Sequence, residues 1–436
     1  MQFLKRVPLA LAALSIAGGA PVVAGAEIGE GPSVHEREEP RELDAENSPP
    51  KGLSEPWWRW QRATGDWGGA RPWLDEHGVR FELAYTGEVF SNLHGGITTD
   101  DATEYRGNVD FTITLDTQAL GLWPGGSLFF YLQNGHGRGI SREYVGALQL
   151  LSNIDARDFT QISEFWIEQS LFGDRVRIKL GKQDANIDFC ALEYGEDFVN
   201  SSFGLVPTVP LPTFPDPALG IAGFLDLTDW MTLGAGVYDG APDGGGFGFD
   251  TAFDGVGGGV GIVELALHTP RITDAWHSGI YRIAGWYHSG DVEEITDVSI
   301  SEIFSGNHGI YLAFDQLLVK ERVEPGDAQG LAAFAQFGWA PGDRNALAYY
   351  AGGGLIYTGA LPGRNEDVLG VGVAHIRFSD RVEQLDGRTH ETAVELFYKA
   401  HLTPWLSLQP DLQVVLNPGG KYDDAVTAGL RFEADF

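Results

Sequence analysis

From residue 79 to 436 the chain alternates apolar and polar side chains with a period of two, over stretches unusually long for a soluble protein. Val79, Phe81, Leu83 and Tyr85 alternate with Arg80, Glu82, Ala84 and Thr86. Val109, Phe111, Ile113 and Leu115 alternate with Asp110, Thr112, Thr114 and Asp116. Val176, Ile178 and Leu180 alternate with Arg175, Arg177 and Lys179, and the pattern returns at Leu406, Leu408, Leu412, Val414 and Leu416. Such alternation puts one row of side chains on each face of an extended ribbon. A sandwich strand is usually about 5–6 residues, whereas a tilted strand crossing a bilayer needs about 9–11.

Cutting the chain at 79–90, 105–117, 127–134, 161–171, 175–183, 219–227, 231–239, 260–269, 280–289, 308–318, 328–339, 345–358, 366–379, 389–402, 405–416 and 425–436 gives about 16 strands, an even count as bacterial barrels require. The connections after strands one, three, five, seven and nine run roughly 14, 26, 35, 20 and 18 residues. Those after strands two, four, six, eight and ten run roughly 9, 3, 3, 10 and 9, and the alternation fades in the last third. Long loops at one end and short turns at the other are expected of a barrel, not a sandwich. The expected fold is all-β: a transmembrane antiparallel β-barrel with a short N-terminal helix. The last apolar row, Val426, Ala428, Leu430, Phe432, Ala434 and Phe436, ends on an aromatic residue, which looks like the assembly signal of outer-membrane proteins.

Composition narrows the function classes. Lys and Arg number 29 against 61 Asp and Glu, a net charge of −32. Phosphate binding needs a basic footprint, so nucleic acid is excluded as a partner. Hydrophobic residues make up 43% of the chain, and no run approaches the roughly 18 apolar residues of a membrane-crossing helix. Cys190 is the sole cysteine, which excludes an intrachain disulfide and a cysteine-based zinc site.

Residues 1–26 read as a signal peptide, with Lys5 and Arg6 before an apolar run and Ala24-Gly25-Ala26 as the cleavage site. Residues 27–55 are acidic and proline-punctuated, a composition expected to stay disordered. Residues 56–78 form the lead-in to the barrel domain at 79–436. Asp66 is expected to N-cap its short helix, Pro72 to occupy an early turn and Gly78 to follow its end. Trp57, Trp58 and Trp60 are read as packing or interfacial anchors rather than ligand platforms.

Charged residues oppose the apolar rows: Glu82, Asp110, Asp116, Glu395, Lys399, Asp411, Arg431 and Glu433 among them. A charge facing mid-bilayer costs roughly 2–4 kcal/mol for Lys or Arg, and a watery lumen removes that cost. About 16 strands enclose an aqueous channel. Passive passage of small solutes through an outer-membrane barrel follows.

Four motifs in order resemble the OprB family of carbohydrate-selective porins. They are Thr64-Gly65-Asp66-Trp67-Gly68-Gly69-Ala70-Arg71; Glu164-Phe165-Trp166-Ile167-Glu168-Gln169 with Lys179-Leu180-Gly181-Lys182-Gln183-Asp184 and Asn186; Phe189-Cys190 through Phe198–Gly204 and Pro210–Pro217; and Gln409–Gly420 preceded by Glu395–Lys399. The resemblance spans residues 64–436 and implies a barrel admitting glucose-like sugars by diffusion.

A sugar presents hydroxyls at its edge and CH-rich faces, so paired charges and an aromatic wall suit it. Glu164, Trp166 and Glu168 share one face of the fourth strand, Arg175, Arg177 and Lys179 one face of the fifth, and a tight turn joins them. Opposed acid and base are expected to pair across the strands, as the wall of the sugar path or as an ordinary salt-bridged wall. Lys182 and Asp184 start the longest loop and are expected at the constriction or as strand caps. Arg138, next to His136 in a glycine-rich stretch, is a further pore-lining candidate. The rigid Pro210–Pro217 run is read as a constricting segment or a solvated external loop.

The glycine tracts at 244–246 and 257–259 lack the Lys-Ser/Thr of a phosphate loop. Asp239, Asp243, Asp250 and Asp254 do not have the spacing of an EF-hand. Neither G-x-S-x-G nor H-E-x-x-H occurs, so an enzymatic barrel is disfavoured and no cofactor is expected. The competing readings are a general diffusion porin for small polar solutes and a purely structural barrel with a blocked lumen. Carbohydrate permeants and outer-membrane lipid are the expected partners, and the assembly is a monomer or a homotrimer.

Overall fold

The computed structural model describes residues 56–242, 257–269, 279–296, 302–321 and 329–436. The expected signal peptide, the acidic tail, Gly244–Gly246 and Asp243, Asp250 and Asp254 lie outside the described residues.

Sixteen strands form one closed antiparallel barrel in which each pairs with the next and β1 closes on β16. They are β1 Val79–Gly96, β2 Thr103–Asp116, β3 Gly126–Gly137, β4 Phe159–Leu171, β5 Val176–Gln183, β6 Ala218–Thr228, β7 Met231–Asp239 and β8 Gly259–Thr269. The second half comprises β9 Gly279–Glu293, β10 Ile303–Lys320, β11 Gly330–Trp339, β12 Leu347–Thr358, β13 Val368–Phe378, β14 His390–Thr403, β15 Leu406–Leu416 and β16 Asp423–Asp435. Helix α1 (Ala70–Glu76) precedes β1, α2 (Ala185–Asp188) follows β5 and α3 (Asp380–Asp386) follows β13. The even count and the hairpin order are those the periodicity predicts.

The outward row is apolar and uncovered: Leu83, Leu180, Val263, Ile283, Val373 and Leu396 are all exposed. The inward row is polar over β1–β5 and β14–β16, where Glu88, Asp110, Glu164, Lys179, Glu395 and Arg431 are buried from bulk solvent. Over β8–β13 the alternation misleads, because much of the inward row is apolar too: Ile262, Trp286, Tyr311, Phe334, Tyr350 and Ile376 are buried inside the barrel. They pack against a loop that folds inward.

The first long-end connection is also shorter than the segmentation implies. β1 continues to Gly96, pairing Ser91 with Thr103 on one side and Gly96 with Asp423 on the other. Strand β4 carries a bulge: Tyr131 pairs with Glu164 while Leu132 pairs with Ile162, leaving Ser163 as the extra residue.

The lead-in segment clasps the seam between β1 and β16. Ala63 N donates to Asp435 O (2.8 Å), Arg71 Nη2 to Phe436 O (2.9 Å) and Trp405 Nε1 to Trp57 O (3.3 Å). Asp66 caps, but its side chain accepts from Gly68 N (3.0 Å) at a 3-10 turn, Trp67–Gly69, that precedes α1. Gly78 follows the helix at φ +82°, and a Cβ there would stand 2.8 Å from Asp116 O, so the turn into β1 requires glycine.

Candidate functional site

Two long connections fill part of the lumen. Residues 138–158, between β3 and β4, and residues 184–217, between β5 and β6, run back into the barrel and meet each other. Asn153 N donates to Val199 O (2.7 Å) and Ser201 N to Leu150 O (3.0 Å). The second loop wedges Phe198 and Phe203 against the wall, with ring centroids of Phe198 4.9 Å from Phe397 and 5.3 Å from Phe334. Glycines on the inner face make room: a Cβ at Gly354 would stand 2.9 Å from the Phe198 ring, and one at Gly372 2.6 Å from it. The Pro210–Pro217 run belongs to this inserted loop and is not a solvated external one. Pro212, Phe214, Pro215 and Pro217 are buried, and Gln161 Nε2 donates to Pro215 O (2.6 Å).

The expected β4–β5 wall is assembled beside this loop. Glu168 and Lys179 are direct cross-strand partners. Arg177 Nη1 bonds Glu168 Oε2 at 2.9 Å, and the Arg177 guanidinium lies over the Phe224 ring, 4.2 Å from its centroid. Trp166 stacks on Phe129 (4.7 Å, 22°) and donates from Nε1 to Glu164 Oε2 (3.2 Å). The bulge at Ser163 lets Gln161, at an odd position, share the lumen face with Glu164, Trp166 and Glu168 at even ones.

One acid that parity could not locate completes the wall. Asp188, at the end of α2, accepts from Arg177 Nη2 at 3.2 Å and from Lys179 Nζ at 2.8 Å. It sits on a loop, where alternation carries no information. The legible signal is instead the density of acids, Asp188, Glu193, Glu196 and Asp197, in the longest connection opposite a basic strand. Farther along, Asp197 pairs with Lys399 of β14 (2.9 Å), which also binds Glu433 of β16 (2.8 Å). Glu196 faces lumen water but is enclosed by protein on most sides. Burial, reinforced by Asp197, raises its carboxyl to about 7 despite Lys399 nearby.

The remaining candidates separate from this wall. Lys182 is fully buried and donates from Nζ to Ile162 O (2.8 Å), tying β5 to the bulge. Asp184 caps α2 by accepting from Asn186 N (2.9 Å) and also accepts from Phe214 N (3.0 Å) and the Thr213 hydroxyl (2.9 Å). Its carboxyl is raised by burial, against those three bonds. Both residues therefore hold the loop base. Arg175 is exposed at the β4–β5 turn, with Nη2 3.4 Å from Asp226 O. The Arg138 side chain is 70% exposed, 3.9 Å from Glu104 and apart from the wall. His136 is not in a loop: it ends β3 and joins Tyr85 (3.2 Å) on the outward face.

The wall thus brings together the Trp166 ring, sandwiched between Phe129 and Lys179, an acid–base ladder and lumen-accessible Arg177. No described group of His, Cys, Asp and Glu has the arrangement of a metal site. The family model for the carbohydrate-selective porin, OprB family, matches residues 100–436. Porin B of Pseudomonas aeruginosa is 25% identical over 422 residues, covering 85% of this chain and 90% of that protein. A structure of Pseudomonas putida OprB at high pH aligns with a TM-score of 0.80 at 25% identity, over 87% of this chain and 99% of that one. The same protein at low pH aligns with a TM-score of 0.55 at 22% identity, with the same coverage, and speaks for the fold alone. With a family model matched from residue 100 to 436, the chain belongs to the OprB family of carbohydrate-selective porins.

Proposed function

We propose that this chain is a bacterial outer-membrane channel through which glucose-sized carbohydrates diffuse passively. The observation that carries the reading is the β4–β5 wall. Trp166, held between Phe129 and Lys179, offers its ring edge to the CH side of a sugar, and Arg177 with Glu168 offers hydrogen-bonding atoms for its hydroxyls beside the inserted loop. Family membership supports the same permeant class. Placement in the outer membrane is supported by the exposed apolar outer row and by Trp57, Trp58, Trp73, Trp123, Phe172 and Trp230, all exposed at the short-turn end where an interfacial girdle belongs.

The test is single-channel conductance in planar bilayers, titrated with monosaccharides, beside liposome swelling with sugars, amino acids and salts. Glucose is expected to reduce the ionic current saturably and to permeate faster than an amino acid of matched size. Equal permeability at matched size would instead identify a general diffusion porin. A channel that carries no current would mean a blocked, structural barrel.

A further inference from the structure

Strand β14 presents two inward carboxylates four residues apart, and each grips two successive backbone amides of a different inserted loop. Glu391 accepts from Leu148 N (Oε2, 2.8 Å) and Gln149 N (Oε1, 2.7 Å), both in the loop 138–158. Glu395 accepts from Val199 N (Oε1, 2.7 Å) and Asn200 N (Oε2, 2.8 Å), both in the loop 184–217. Both glutamates are fully buried, and period two places both on the lumen face.

The two gripped loops are joined to each other at the same point. Leu150, next to the clamped Gln149, and Val199, itself clamped, are the residues whose carbonyls accept from Ser201 N and Asn153 N across the junction. Gln413, facing Glu395 across β15, bridges the loops again: its Oε1 accepts from Asn200 Nδ2 (3.0 Å) and its Nε2 donates to Leu151 O (2.8 Å).

We infer that Glu391 and Glu395 are positioning residues that hold both inserted loops to β14 as one body and thereby set the size of the constriction. A carboxylate suits this task because both oxygens accept, so two neighbouring N–H groups are satisfied by one side chain. Where the carboxyl is ionised such bonds are charge-assisted and stronger than neutral ones; at Glu395 a proton shared with Asp411 still leaves both oxygens accepting from the loop amides. A glutamine turns one acceptor into a donor that faces a backbone N–H. Asp411 also touches the Glu395 carboxyl; an amide NH2 can keep that contact only while meeting a backbone donor, so E395Q loses at least one clamp bond.

The inference rests on the channel reading only for its sugar arm. E391Q, E395Q and the double variant are measured for ion conductance, open-channel current noise and half-saturating glucose, with heat-modifiable gel mobility confirming a closed barrel. Each single variant is expected to raise current noise and to raise half-saturating glucose roughly tenfold, the loss of one charged hydrogen bond. The double variant is expected to go little beyond the worse single, because the loops move together. Unchanged noise in both singles, or additive effects, would overturn the inference. Noise needs no sugar, so a wild-type channel indifferent to glucose would sink the sugar reading and leave this one testable. Should the variants fail to fold, hydrogen exchange of the wild-type protein decides. The amides of Leu148, Gln149, Val199 and Asn200 are expected to be protected like those of the strands, and loop-like exchange would refute the clamp.

Discussion

The Lys179 ammonium sits 4.4 Å from the centroid of the Trp166 ring while bonding Asp188 at 2.8 Å. The tryptophan is thus fixed by a cation on one side and by Phe129, stacked at 4.7 Å, on another. A ring held this way costs little further ordering when a solute meets it.

Trp166→Ala should therefore lower sugar flux more than small-ion flux. Taking about 1 kcal/mol for the lost aromatic contact, sugar flux falls roughly fivefold. Parallel liposome swelling and conductance measurements check this, and equal changes in both would remove Trp166 from the sugar path.

Asp188→Asn leaves the buried Lys179 ammonium without its nearest anion. Breaking a buried pair by removing one partner costs about 3 kcal/mol or more. The loss should appear locally, as faster amide exchange over Ala185–Asp188 with the strands still protected.

The Glu196 carboxyl, raised to about 7 mainly by burial, is ionised above that pH and neutral below it. Cation conductance should fall as pH drops through about 7 and recover on return. E196Q should hold the low-pH conductance throughout. A wild-type titration that the variant leaves intact would assign the step to another group.

Val263→Lys tests the outer surface. Val263 is 53% exposed on the outward row of β8, and a lysine there at mid-depth should cost about 2–4 kcal/mol of stability in lipid vesicles. Denaturant unfolding of the refolded barrel measures it, and a neutral effect would argue against contact with hydrocarbon.

Arg71→Ala should loosen the seam clasp. Arg71 is buried and donates to Phe436 O, and losing such a bond costs about 1–3 kcal/mol. The temperature at which the barrel unfolds in SDS should drop, with strand content unchanged beforehand.

Sequence periodicity makes the barrel legible because an apolar outer surface and a polar lumen impose opposite chemistry on alternate residues. That logic suffices to set Glu164, Trp166, Glu168, Arg177 and Lys179 on one wall. It could not find Asp188, Glu196 or Asp197, which sit on a connection whose path is set by tertiary contacts. It also misjudged β8–β13, where Trp286, Phe334 and Ile376 face inward. There the inner environment is an inserted loop rather than water, so both faces are apolar and parity loses its contrast. The glycines at 354 and 372, which admit Phe198 and Phe203, mark that insertion only once the rings are seen above them.

The extra residue at Ser163 has a wider reach than its size implies. In a ribbon whose neighbours point opposite ways, it lets the lumen face pass from odd positions, ending at Gln161 and Ser163, to even ones, beginning at Glu164. Were β4 to pair straight through from Gln161 with Ser163 kept in the ladder, Glu164, Trp166 and Glu168 would leave the lumen face, and Phe165 and Ile167 would line it. Deleting Ser163 would restore plain alternation and keep the wall facing inward, whereas one residue added between Glu164 and Trp166 without a second bulge would turn Trp166 and Glu168 outward.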